Sequence, residues 1–114
     1  MRKYLLVTVL AGVAVLGFAG CKDKLERVPC NGTSPTWDAK VLDIVAESCW
    51  GSNCHGNGSQ RGDYTSFAGI QPTLQNGTFE TEVLETRRMP QDGSLPDSTL
   101  ATLQCWLENG FPEN

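Results

Sequence analysis

The sequence has few basic residues and few residues that ligate metals through imidazole or thioether groups. The 114 residues include nine lysines and arginines, thirteen acidic residues, one histidine and two methionines. The basic residues form no stripe, which argues against nucleic-acid binding. No alternating apolar pattern extends beyond a few residues, which argues against a sheet. No grouping of acid, base and nucleophile is visible, which argues against an enzyme.

Long apolar segments are also scarce, since the one clear run covers residues 5–16 after the basic Arg2 and Lys3. This run is short for a membrane span, which needs about 20 apolar residues. The segment Phe-Ala-Gly-Cys (18–21) resembles a bacterial lipobox. We therefore predict a lipoprotein signal peptide over 1–20 and a lipidated Cys21. The alternatives are an ordinary cleavable signal and a short transmembrane anchor.

A signal of this kind divides the chain into a lipidated tether, 21–35, and one small domain, 36–114. Without residues 1–20 the chain keeps seven basic and thirteen acidic residues, a net charge of about −6. We expect the protein in the cell envelope, on the periplasmic or surface side of the outer membrane. Its lipid anchor would supply the membrane attachment, and its partners would carry basic patches.

Helical spacing of apolar residues predicts a small all-α domain of three to four short helices with long loops. The first helix is expected over 36–47, capped by Ser34 or Thr36, and a short second helix over 64–68, ended by Gly69 and Pro72. A third helix follows the Asn-Gly turn at 76–77 and ends near 87–88. The last begins near 96–97 and stops at Asn109-Gly110. The large core side chains are expected to be Trp37, Phe67, Phe79, Leu84, Leu103 and Trp106.

Four cysteines remain after Cys21, and an exported chain lies in an oxidising compartment where free thiols do not persist. They are Cys30, Cys49, Cys54 and Cys105. Two disulfides account for all four. So does one disulfide together with a cofactor bound to the other two thiols, and the even number does not decide between these interpretations.

The single histidine lies directly after a cysteine, in Cys-Trp-Gly-Ser-Asn-Cys-His (49–55). A c-type haem site ends in Cys-His, because two thiols attach the haem vinyl groups and the next imidazole ligates the iron. The usual gap between the cysteines is two residues, whereas here it is four. The alternative interpretation is a structural disulfide between Cys49 and Cys54, with His55 exposed to solvent.

Met89 is the one methionine after residue 20, and it lies directly before Pro90. Methionine is a common second axial ligand in electron-transfer cytochromes. The proline restrains the loop backbone and prevents helix from continuing through the methionine. His55 and Met89 thus make a complete ligand pair. The alternative is that Met89 fills a gap in the core.

These features occur in an order that resembles a small cytochrome c domain over about residues 36–112. The segment Met-Pro-Gln-Asp-Gly-Ser-Leu (89–95) resembles the methionine loop of that family, and Trp-Leu-Glu-Asn-Gly (106–110) resembles the end of its last helix. The whole looks most like the cytochrome c-like lipoproteins of Bacteroidetes. The resemblance implies one haem c, with thioether bonds to Cys49 and Cys54 and axial ligands His55 and Met89.

The same resemblance implies a structural disulfide, because the terminal helices of a cytochrome c domain cross. Cys30 precedes the first helix and Cys105 lies in the last, so a bridge between them is expected. The implied function is single-electron transfer between redox partners by a membrane-tethered protein that is not an enzyme. The competing hypotheses are a cofactor-free, disulfide-stabilised surface lipoprotein that acts as a binding or accessory subunit, and a Cys/His zinc site.

Overall fold

Four helices joined by loops make up the fold, and no strand occurs among the residues that the structure describes. The structure is a computed structural model, and it describes residues 27–51, 53–93 and 95–114. The helical class predicted from the sequence is therefore confirmed for these residues. The predicted signal peptide, Cys21 and the first part of the tether lie outside them.

Helix α1 consists of a π-helical turn, Trp37–Val41, which continues into the α-helix Leu42–Cys49. The hydroxyl of Thr36 caps the helix by accepting a hydrogen bond from the amide of Ala39 at 3.3 Å, which satisfies one of the donors that a helix start leaves unpaired. The buried face of the helix carries Trp37, Val41 and Val45. Both the cap and the apolar spacing agree with the prediction from the sequence.

Helix α2 covers Phe67–Gln75, so the predicted short helix over 64–68 is wrong. Its cap is Ser66, whose hydroxyl accepts a hydrogen bond from the amide of Gly69 at 3.1 Å. Gly69 does not end the helix but lies within it, at a position where a Cβ would collide with the carbonyl oxygen of Asp63. Pro72 lies within the helix. Burial of the neighbouring apolar residues Ile70 and Leu74 offsets the free-energy cost of the backbone hydrogen bond that proline removes.

Helix α3 begins after the predicted Asn-Gly turn and consists of Thr78–Glu80 and a π-helical part, Thr81–Glu85. Gly77 has a φ of +78°, the left-handed conformation that glycine adopts without strain. Helix α4 covers Asp97–Glu108 and ends before Gly110, whose φ is +83°. The turn and the bounds of α4 follow the prediction from the sequence.

Trp106 lies at the centre of the core with no exposed surface. Its ring centroid is 6.1 Å from that of Trp37, 6.3 Å from that of Phe79 and 6.3 Å from that of Phe111. The indole nitrogen donates to the carbonyl of Pro112 at 3.0 Å, and the same carbonyl accepts from the amide of Trp37 at 3.0 Å. The end of the chain therefore fastens the start of α1 to α4. Phe67, expected in the core, is only partly buried and packs edge-on against Trp37.

Cys30 and Cys105 form a disulfide that ties the segment before α1 to α4, with their Cα atoms 5.5 Å apart. Two polar contacts support the same connection. The guanidinium of Arg27 is 2.9 Å from a carboxylate oxygen of Glu108, and the amide of Gln104 donates to the carbonyl of Val28 at 3.3 Å. The segment that leads into the domain is thus fixed along α4.

Candidate functional site

A cavity of about 300 Å³ lies between the C-terminal half of α1, the loop before α2, helix α3 and the loop that contains Met89. All four residues that the sequence pattern singled out as cofactor-binding line this one cavity, although they lie up to forty positions apart in the chain. They are Cys49, Cys54, His55 and Met89. Cys30 and Cys105 lie elsewhere, in the disulfide.

The walls of the cavity are mostly apolar. The aliphatic and aromatic side chains among the residues that line the cavity are Ile44, Val45, Tyr64, Phe79, Val83, Leu95 and Leu103. Three charged residues, Arg61, Glu82 and Asp92, also line it. An apolar cavity with a few convergent polar groups is typical of a site for a small molecule or cofactor.

Backbone hydrogen bonds bring the two ends of the cysteine segment together. The amide of His55 donates to the carbonyl of Cys49 at 3.0 Å, and the amide of Cys54 donates to the carbonyl of Gly51 at 2.9 Å. Both cysteines are free thiols and both face the cavity. The longer gap between the cysteines therefore does not direct either thiol away from the site.

Gly51 has a specific role in this arrangement. A Cβ at this position would lie 2.9 Å from the sulfur of Cys54, which is closer than real Cβ atoms approach a neighbour. The absence of a side chain at Gly51 thus makes room for the Cys54 thiol.

The Cys49 thiol is held in its neutral form. Burial, and secondarily the neighbouring Cys54, raise the pKa of Cys49 from 9.0 to about 11. The low-dielectric surroundings disfavour the thiolate. At neutral pH this thiol is a poor nucleophile and a poor ligand for a cation.

The His55 imidazole is fixed by two contacts from the loop before α2. Its Nδ1 lies 3.2 Å from the carbonyl oxygen of Gly62, and because a carbonyl only accepts, Nδ1 is the donor. In a neutral imidazole the other nitrogen, Nε2, is then free to accept a proton or bind a metal. The ring of Tyr64 stacks on the imidazole with 4.0 Å between ring centroids and 3° between planes.

Met89 is partly buried against the core and reaches the cavity from the side of α3. Its amide donates to the carbonyl of Glu82 at 3.1 Å. The guanidinium of Arg88 lies 2.5 Å from a carboxylate oxygen of Glu82. Both contacts of Glu82 hold the methionine loop beside helix α3.

Sequence reasoning missed two contributors to this site, Tyr64 and Gly62. The Arg-Gly-Asp tripeptide at 61–63 lies in the loop before α2. Nothing in that pattern indicated that the loop packs on the histidine. The one available signal was the aromatic residue Tyr64, which directly follows Gly-Asp at 62–63 and is of a type that is often buried.

Within the part of the chain that the structure describes, no group of three or more His, Cys, Asp and Glu side chains is placed to hold a metal ion. The zinc alternative therefore finds no donor set there. Over the same residues, no helix has both the length and the apolar composition to cross a bilayer.

Comparison of the chain with protein-family models, with curated proteins and with solved structures finds no match.

Proposed function

We propose that this protein is a membrane-tethered monohaem c-type cytochrome that transfers single electrons between redox partners. One observation carries the proposal: two free thiols, the single histidine and the single methionine of the described chain line one apolar cavity. Residue types that attach and ligate haem in c-type cytochromes meet there from three different parts of the fold.

The donor atoms of the cavity suit this cofactor. Cys49 and Cys54 have free sulfurs for thioether bonds, and the Nδ1 contact of His55 with Gly62 leaves Nε2 available as a ligand atom. Met89 would supply the thioether ligand. The cavity volume of about 300 Å³ lies at the lower end of the range for ligand sites, ~300–1,000 Å³.

When bound, the haem would supply a one-electron couple whose potential a methionine ligand raises. The protein's own residues have separate tasks. Cys49 and Cys54 would hold the group through their sulfurs, His55 and Met89 would ligate its iron, and the apolar side chains would exclude water. Two ligands from the protein would leave the iron no open position for a substrate, and we therefore favour electron transfer over enzymatic chemistry.

The surface charge supports partners with basic patches. Eight acidic residues of the described chain are exposed, compared with four exposed basic residues, Arg27, Lys40, Arg61 and Arg88. Opposite charges on the two proteins would accelerate their encounter. The exposed acidic residues are Asp38, Asp43, Glu47, Glu85, Asp92, Asp97, Glu108 and Glu113.

The proposal is tested by expressing the chain with a cytochrome c maturation system, then recording a pyridine haemochrome spectrum and the mass of the denatured protein. We expect covalently bound haem with two thioether bonds. C49A and C54A should each leave a single thioether bond and shift the haemochrome band, and the double variant should lose covalent haem.

The control is the C30A/C105A variant, whose cysteines lie outside the cavity and which should keep both thioether bonds. A chain without haem, lighter by two hydrogens through a bond between Cys49 and Cys54, would refute the proposal. That result would favour the cofactor-free, disulfide-stabilised accessory lipoprotein.

A further inference from the structure

Tyr64 contacts His55 through both its ring and its backbone. The two rings are stacked 4.0 Å apart and nearly parallel, and the amide of Tyr64 donates to the carbonyl of His55 at 2.9 Å. Tyr64 is 7% exposed, so it is part of the core. Displacing the imidazole relative to this ring would break a buried packing contact and a backbone hydrogen bond.

Tyr64 is itself tied to the cysteine segment. Its carbonyl accepts a hydrogen bond from the indole nitrogen of Trp50 at 3.0 Å. Trp50 follows Cys49 directly and is 37% exposed. This bond connects the loop that carries Tyr64 to the segment that carries the thiols.

Gly62 supplies the second contact of the imidazole, the hydrogen bond to Nδ1 at the ring edge. It has a φ of +104°, and a Cβ there would lie 3.1 Å from Cε1 of Tyr64 and 3.7 Å from Nδ1 of His55. Glycine thus lets its carbonyl reach the imidazole while the tyrosine ring stays in place. The Asp63 carboxylate braces this loop by accepting hydrogen bonds from the amides of Gly58 and Thr65, each at 2.9 Å.

The two contacts restrain different motions. The hydrogen bond to Gly62 fixes the direction of Nδ1 but leaves the ring free to rotate about that bond. Stacking on Tyr64 removes the rotation, because a tilted imidazole would lose its contact with the buried phenol ring. Together they determine both the plane of the imidazole and the direction of Nε2.

We propose that Tyr64, with Gly62, forms a clamp that fixes the plane of the His55 imidazole before any cofactor binds. Tyr64 is then a positioning residue for an axial ligand, a role that rests on the proposed haem function. The clamp itself is a property of the cofactor-free chain.

The test uses the full chain prepared without the maturation system, and it observes the imidazole protons by NMR. His55 is the only histidine, so in an untagged chain its signals are unambiguous. Stacking should shift them upfield and give cross-peaks to the Tyr64 ring. The shift and the cross-peaks should persist in Y64F, which keeps an aromatic ring, and the shift should be lost in Y64L.

L74A is the matched control, because Leu74 is buried to a similar degree at 6% exposure and lies outside the cavity lining. It should lower the melting temperature without moving the imidazole signals. Unchanged imidazole shifts in Y64L, or an equal change in L74A, would overturn the clamp.

A second readout uses the haem-loaded chain, in which the EPR spectrum of the oxidised iron depends on the plane of the imidazole ligand. The g-values should change in Y64L and stay as in the wild type in Y64F. Identical g-values in all variants would overturn the positioning role. If no variant binds haem, the proposed function fails, and the NMR measurement still decides whether the clamp exists.

Discussion

The backbone amide of His55 donates a hydrogen bond to the carbonyl of Cys49 at 3.0 Å. This bond joins the first cysteine of the segment to the histidine that ends it, across a gap longer than in the usual haem motif. The two additional residues between the cysteines therefore lie within a loop whose ends, Cys49 and His55, are joined by this hydrogen bond. Both thiols consequently remain at the cavity.

Replacing Gly51 with alanine should displace the Cys54 thiol without unfolding the domain. The added Cβ would lie 2.9 Å from that sulfur, and rotation about one side-chain bond relieves the contact. We expect a lower fraction of chains with two thioether bonds, measured by mass after maturation. G56A is the control, since a Cβ there would come no closer than 3.4 Å to a neighbour. Equal haem incorporation in G51A and wild type would contradict this role of Gly51.

Replacing Met89 with alanine should change the visible spectrum and lower the reduction potential, because the thioether ligand that raises the potential is lost. L95A is the matched control, because Leu95 lines the same cavity and carries no ligand atom. An M89A spectrum identical to that of the wild type would remove Met89 from the site.

The cofactor-free chain should lose stability at alkaline pH because of Cys49. Its pKa is raised from 9.0 to about 11 in the folded state, so the unfolded state releases the thiol proton more readily. The stabilising contribution is complete below pH 9 and is lost as the pH rises toward 11. Urea unfolding at several pH values should show this decline, and C49A should lack that part of it. Parallel pH profiles for the two chains would be inconsistent with a buried, neutral Cys49.

Removing the disulfide with C30A/C105A should lower the free energy of unfolding by about 4 kcal/mol on the loop-entropy model, given a sequence separation of 75 residues. Denaturation in urea measures the difference. A reducing agent should destabilise the wild type by a similar amount and leave the double variant unaffected. A wild type that is insensitive to reduction would show that the bridge contributes nothing.

Local signals account for the parts of the fold that the sequence predicted. The start of α1 depends on the Thr36 cap, and the end of α4 depends on the left-handed Gly110. Both are decided within a few residues. The prediction for α2 failed because Gly69 serves a contact with the carbonyl of Asp63 rather than a helix stop. That contact arises only when the preceding loop packs on the helix.

The candidate site, like the fold, could be predicted from the sequence only in part. Residue type and order singled out Cys49, Cys54, His55 and Met89, because few side chains can attach or ligate a haem. The resemblance predicted that these four share one site, but the cavity that they line depends on how α3 and the methionine loop pack beside α1. The sequence did not indicate that Tyr64 stacks on His55.

The sequence by itself determined the helical class, the end of α4 and the set of candidate ligands, since periodicity, helix-stop signals and side-chain chemistry are local properties. Tertiary structure alone decided that the thiols, the imidazole and the thioether share one apolar cavity, and that Gly51 and Gly62 make room around them. The physical reason is that convergence depends on packing between distant segments. Here the carbonyl of Gly62 and the ring of Tyr64 set the direction of the His55 imidazole.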